Sequence, residues 1–331
     1  MPITSTNYTD ISYVAEVIPG TIPPNDGAAG PTQFQIIPTT GGAPASEITT
    51  AVSEVIRSDR QTDDLVVVDS DITGEMNIEV SYAPFKPLLT ELLRGDVDDT
   101  TVPGTDAVRN GNNQASTFTF CKRVQGITDP AYFYYAGCVI SQSVFNFETG
   151  SILTGTMSLY GRDETTATET VPYPEFTAGQ EFLPAAAYSI MNSVQNVVTT
   201  ITGLPAGTEY STLNLTINNN TTPAKAIGTL GAVNTADFTL EVTGDIDLYF
   251  QDLSAYNLFI QSGNFKLVAE LYDGPSQTGN KLVVTLPFCK FETLDTPIEG
   301  KDNFLMLSGA LRALRDPDDD YMVEFAFTDA V

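Results

Sequence analysis

The same seven-residue alternation of apolar and polar side chains occurs twice in this chain, 170 positions apart. Ile72-Thr73-Gly74-Glu75-Met76-Asn77-Ile78 corresponds to Val242-Thr243-Gly244-Asp245-Ile246-Asp247-Leu248. A period of two describes a strand with one apolar and one polar face. In each copy a short helical pattern follows. In Pro84–Gly95, Phe85, Leu88, Leu89, Leu92 and Leu93 fall on one helical face, with Pro84 suited to the first turn and Gly95 to the cap. In SAYNLFIQSG, Ser254 is the expected N-cap and Gly263 the stop. Later in each copy an apolar-flanked cysteine (Cys138, Cys289) precedes a glycine-containing strand and an Arg-Asp pair (Arg162-Asp163, Arg315-Asp316). Order and spacing agree along both halves, and a tandem duplication is the economical reading.

Most other patterned segments also read as strands: STFTFCKRV, AYFYYAGCVI, SVFNFE and ILTGTMSLYG in the first half, then LNLTIN, FKLVAELYD, KLVVTLPFCKF, FLMLSGALRAL and YMVEFAF. The chain is therefore expected to be mainly β, a β-rich α+β architecture. Its 331 residues suit two domains. Residues 1–50, rich in Thr, Pro, Gly and Ala, are expected to form an extended N-terminal arm. The first domain is placed at 51–180 and the second at 188–331. Residues 163–187 read as a linker and 96–115 as a polar loop.

Composition removes whole classes of chemistry. With no histidine there is no Ser-His or Cys-His nucleophile pair and no imidazole metal ligand. Three cysteines supply no disulfide framework and read as buried thiols. The net charge of −27 disfavours binding nucleic acid by phosphate neutralisation, and disfavours anionic membranes. No signal peptide or membrane span is expected. The acidic loop Asp316–Asp320 lacks the glycine and distal glutamate of an EF-hand and reads as a solvated turn, as do Asp96, Asp98 and Asp99. No pair of carboxylates stands out as a glycosidase acid and base. Neither a catalytic residue, a metal nor a cofactor is expected.

The matched strands do carry acidic rows. Asp71, Glu75 and Glu79 share one parity in the first copy, and Glu241, Asp245 and Asp247 in the second, with no Lys or Arg interrupting either row. An ordinary solvated face usually mixes both signs. A second cluster, Ile56-Arg57-Ser58-Asp59-Arg60-Gln61, holds two of only 15 basic residues. On a strand Arg57 and Arg60 would point to opposite faces and could grip acidic neighbours on both sides.

Tyr13 with downstream Gly20-Thr21-Ile22-Pro23-Pro24, then SEVIRSDRQTDDLVVVDSDITGEMNIEVSY, then a helix ending in LLRG, is similar to the major tail tube protein of long-tailed (siphovirus-type) bacteriophages. FNFETGSILTGTMSLYGRD at 145–163 typifies the same family. The second copy, LNLTINNNTTPAKAIG, has no Arg-Ser-Asp-Arg equivalent. The resemblance implies two tandem β-sandwich or half-barrel domains, each with one short flanking helix, closing into a ring-shaped β-barrel on oligomerisation. Stacked rings would form the channel for DNA passage. Single-domain relatives form six-fold rings, so two domains per chain imply a trimer mimicking a hexamer, with a hexamer of chains as the alternative. On this reading Asp71, Glu75, Glu79, Glu241, Asp245 and Asp247 face the lumen. Arg57, Asp59 and Arg60 contact a neighbouring subunit. The partners are further copies of the chain, the tape measure and tail terminator or tip proteins, and double-stranded DNA in transient, non-specific passage; a membrane is not among them. The location is the virion tail, after assembly in the host cytoplasm. The rival is a carbohydrate-binding or adhesin-type β-sandwich, which would need exposed aromatics over a groove.

Overall fold

The computed structural model describes residues 4–23, 34–100, 104–127, 130–168, 197–205, 208–274, 277–298 and 300–329. The first half contains β1 (Thr9–Ala15), β2 (Gln35–Ile37), β3 (Thr39–Gly41), β4 (Ala45–Val52), β5 (Leu65–Glu79), α1 (Tyr82–Leu92), β6 (Val97–Asp98), β7 (Thr105–Arg109), β8 (Phe118–Val124), β9 (Ala131–Glu148), β10 (Thr154–Gly161) and β11 (Asp163–Thr168). The second contains β12 (Val197–Thr202), β13 (Tyr210–Asn218), β14 (Thr222–Lys225), β15 (Ala232–Ala236), β16 (Glu241–Tyr249), α2 (Ser254–Ile260), β17 (Phe265–Gly274), β18 (Thr278–Asp295), β19 (Met306–Ala313) and β20 (Glu324–Thr328). The chain is mainly β; among the described residues there are two short α-helices, and the sheets do not close into a barrel within one chain.

The halves pair their strands in the same order. β4–β5–β10–β9 in the first corresponds to β13–β16–β19–β18 in the second. β1–β8–β9–β11 corresponds to β12–β17–β18–β20. Even an irregularity repeats. The β9–β10 ladder skips Ser141, and the β18–β19 ladder skips Glu292. Those positions are 151 apart, as are Cys138 and Cys289. All three cysteines are free and buried, and burial pushes the Cys121 and Cys289 thiols up to about 12. They act as small apolar core residues.

Among the described residues, two strand pairings join the halves. β13 lies antiparallel to β9, with Thr212 opposite Glu148 and Asn218 opposite Gln142. β20 lies antiparallel to β7, with Glu324 opposite Arg109. A single apolar cluster runs through both halves, including Met76, Phe85, Phe120, Met157, Leu215, Ile246, Phe265 and Phe325.

The helix α1 has the apolar face read from its spacing: Phe85, Leu88, Leu89, Leu92 and Leu93 are all buried. Its end differs from expectation. The left-handed residue is Arg94 (φ 53°), not Gly95. Gly95 is needed for a close approach, because a Cβ there would lie 1.8 Å from the Arg109 carbonyl oxygen. Gly95→Ala is expected to cost about 3 kcal/mol by forcing the backbones apart, read as a lowered urea midpoint. The second helix repeats the ending. Ser262 is left-handed (φ 51°), and Gly263 N–H donates to Leu258 O at 2.8 Å in a Schellman arrangement. Leu253 occupies the N-cap position of α2, so Ser254 is its first helical residue rather than its cap.

Three further expectations are corrected. The segment 1–50 is not one extended arm. Its β1 pairs with β8 and β2, and the Tyr13 hydroxyl donates to Pro84 O at 2.7 Å. Ile11, Ser12, Tyr13 and Val14 are consecutively buried. Ile11 and Val14 each gain about 2 kcal/mol on burial, which favours docking on the chain's own sheet. Because both faces of β1 are covered, the strand shows no alternation in sequence. Deleting residues 2–40 would therefore open the core rather than leave a folded protomer. The loop expected at 96–115 contains β6 and β7, the latter completing the ladder with β20. Of the linker expected at 163–187, residues 163–168 form β11; 169–187 lie outside the described residues.

Candidate functional site

The strands β4, β5, β10, β9, β13, β16, β19 and β18 form a continuous run of eight, four from each half. One face buries Ile72, Met76, Ile78, Met157, Phe145, Leu215, Ile246 and Leu311. The opposite face is polar, and its residues line up in rows across the ladders. Glu79, Thr154, Asn146, Asn214, Asp245 and Ala310 make one row. Asn77, Thr156, Val144, Thr216, Thr243 and Arg312 make the next. Glu75, Ser158, Gln142, Asn218 and Glu241 make a third.

Of the six carboxylates singled out from sequence, Glu75, Glu79, Glu241, Asp245 and Asp247 sit on this face as the alternation required. The Asp247 carboxylate accepts from Thr212 Oγ1 at 2.5 Å. Asp71 lies farther along β5 and pairs with Lys225 Nζ at 2.7 Å, and Lys225 also pairs with Asp69. The ammonium hydrogen bond holds the Asp69 carboxyl below the usual carboxylate range. The face is less purely acidic than either row alone. Arg312, on β19, lies 3.7 Å from Glu241 and also pairs with Glu292. Single-strand parity could not show this, because the cation arrives from a neighbouring strand.

The Arg57 cluster is a loop, not a strand. Residues 53–64 connect β4 to β5. Arg57 turns back into that loop, with Nη2 2.9 Å from Asp59 Oδ2 and a further pair to Asp63. Its guanidinium holds the Asp59 carboxyl low. Arg60 takes a left-handed turn conformation (φ 60°). Exposed apolar side chains surround the cluster: Val52, Val55, Ile56, Leu65, Val66, Val67 and Val68. An apolar group of this size on a projecting hairpin is characteristic of an interaction surface. The equivalent hairpin of the second half, β14–β15, folds back onto the first half through Lys225.

A buried arginine missed in the sequence ties the halves together behind this sheet. Arg94 is 5 % exposed. Its Nε lies 2.7 Å from Asp237 Oδ2, its Nη1 3.1 Å from Glu91 Oε1 and its Nη2 3.0 Å from Ile140 O. Desolvation pushes the Glu91 carboxyl up. Among the described residues no group of three or more His, Cys, Asp or Glu side chains is placed to hold a metal ion. The described residues thus present a polar sheet face, unclosed sheet edges and an exposed apolar hairpin.

The family model for phage tail tube protein matches residues 6–328. The chain belongs to that family. A search among curated proteins gave no match. The family match covers both halves of the repeat, including β1 and the β4–β5 hairpin. As a tail tube family member the chain is a structural component of the virion tail.

Proposed function

We propose that three chains close head to tail into a ring, that rings stack into the tail tube, and that the polar face of the eight-strand run lines the channel through which DNA leaves the virion. The observation that carries this reading is the repeat of the four-strand unit. β9 of the first unit is joined to β13 of the second, so one chain already contains one of two alternating interfaces of a six-unit ring. Closure would also pair the open sheet edges that a β-rich chain must otherwise protect.

Glu75, Glu79, Glu241, Asp245 and Asp247 then face the lumen with Asp71 nearby, and their charge repels phosphate so that DNA slides without adhering. The apolar hairpin carrying Arg57, Asp59 and Arg60 contacts a neighbouring subunit. Tape measure, terminator and tip proteins meet the tube during assembly in the host cytoplasm. Negative-stain microscopy of the purified protein is expected to show rings or tubes, whereas isolated globules at all concentrations would contradict the proposal. Replacing Glu75, Glu79 and Asp245 together by Lys should leave tubes intact and slow DNA ejection, most strongly at low salt, because fixed cations hold phosphates through counterion release. Ejection at the unaltered rate would remove the charge argument.

A further inference from the structure

The junction within one chain gives a template for the junction between chains. Across β13–β9, Asn218 lies opposite Gln142 and Thr216 opposite Val144, and Asn219 N–H donates to Ser141 O at 2.9 Å. Each side has a counterpart. Asn218 faces Glu241 on β16, and Glu47 faces Asp71 on β5, 170 positions earlier; thus Glu47 takes the place of Asn218. The shared ladder irregularity places Thr293 where Gln142 stands.

Among the described residues both counterpart edges are open. The ladder of β4 is with β5, Ala45 to Val52 opposite Thr73 to Leu65. β18 pairs with β19 along one edge, and its pairing with β17 on the other edge stops at Cys289. Resting on the ring reading above, we infer that Ala45–Ile48 of one chain adds antiparallel to residues 292–295 of a second copy. Ile48 lies opposite Glu292, Glu47 opposite Thr293, Ser46 opposite Leu294 and Ala45 opposite Asp295.

A second observation points to the same partner from behind the sheet. α1 packs on β9 of its own half and against β18 and β20 of the other, whereas α2 packs on β18 of its own half. Aligned at the left-handed residues Arg94 and Ser262, the fully buried Phe85, Leu88 and Leu92 fall at Leu253, Tyr256 and Ile260, which are 58, 36 and 63 % exposed. All three are buried on α1, which contacts the second half, and their counterparts on α2 are exposed. The occupant this exposed face fits is the first half of the next copy, which carries the equivalents of β18 and β20, namely β9 and β11.

The test is disulfide trapping in the full chain carrying Glu47→Cys and Thr293→Cys. Directly opposed residues have Cβ atoms about 5 Å apart, within disulfide reach, while a pair displaced by two residues is separated by about 7 Å. The native thiols are buried, so unsubstituted protein serves as the blank. Mild oxidation should convert monomer into covalent species ending at three chains on a non-reducing gel. The displaced pair Thr49→Cys with Thr293→Cys should stay monomeric. Equal or better trapping of the displaced pair would overturn the register. Rings visible by microscopy with neither pair trapped would overturn this interface and leave the ring reading standing. Absence of both rings and crosslinks would overturn the two together.

Discussion

The variant Ile260→Asp is expected to remain folded and to lose assembly. Ile260 is 63 % exposed on α2, so a carboxylate there meets water in the monomer and should change its stability by less than about 0.5 kcal/mol. In the ring the same side chain would be enclosed between α2 and the next chain. An unpaired carboxylate then loses hydration with no cation in return, a cost of several kcal/mol. A loss of about 3 kcal/mol at each interface weakens each contact more than 100-fold. Size-exclusion chromatography should show a monomer with an unaltered melting temperature. Rings forming at the usual concentration would show that α2 lies outside the interface.

Arg94→Ala should destabilise the folded monomer itself. The arginine follows α1 in a left-handed conformation and reaches Asp237 in the second half and Ile140 O in the first. Truncation removes the cation from the Asp237 carboxylate, which keeps the Thr221 hydroxyl as a donor, and takes the guanidinium hydrogen bond from the Ile140 carbonyl. The expected loss is about 3 kcal/mol, the scale found when one partner of a buried pair is removed. Arginine and alanine carry the same cost at φ > 0, so Arg94→Ala reports the lost guanidinium, whereas Arg94→Gly loses the guanidinium and also relieves that backbone cost. Both variants should lower the urea midpoint, with Arg94→Gly lowering it less. A midpoint unaltered in Arg94→Ala would show that the halves are held by their strand ladders alone.

These contrasts follow the limits of what a period can convey. The five apolar residues of α1 and the alternation of β5 and β16 were legible because one face of each element is buried and the other is not. The strand β1 was not, since Ile11 to Val14 are covered on both sides and leave no alternation to read. Parity assigned Glu75 and Asp245 to a face but not their neighbours. That Arg312 and Lys225 reach these rows depends on ladder register, set by residues tens to hundreds of positions away. The 96–115 segment looked like a loop because β7 gains its order from β20, at the far end of the chain. Arg94 stood in plain view beside Gly95, and helix-end statistics favoured the glycine as the left-handed residue. Gly95 is instead fixed by the Arg109 carbonyl, a contact between segments that local sequence does not encode.

On the ring reading proposed above, one chain supplies two adjacent positions of a six-unit ring. Cryo-electron microscopy of assembled tubes measures this directly. Three chains per ring are expected, each contributing β4–β5–β10–β9 and β13–β16–β19–β18 side by side to the inner wall, with the β9–β13 junction inside chains alternating with a β18–β4 junction between them. Six chains per ring, with the second half projecting outside the wall, would contradict it.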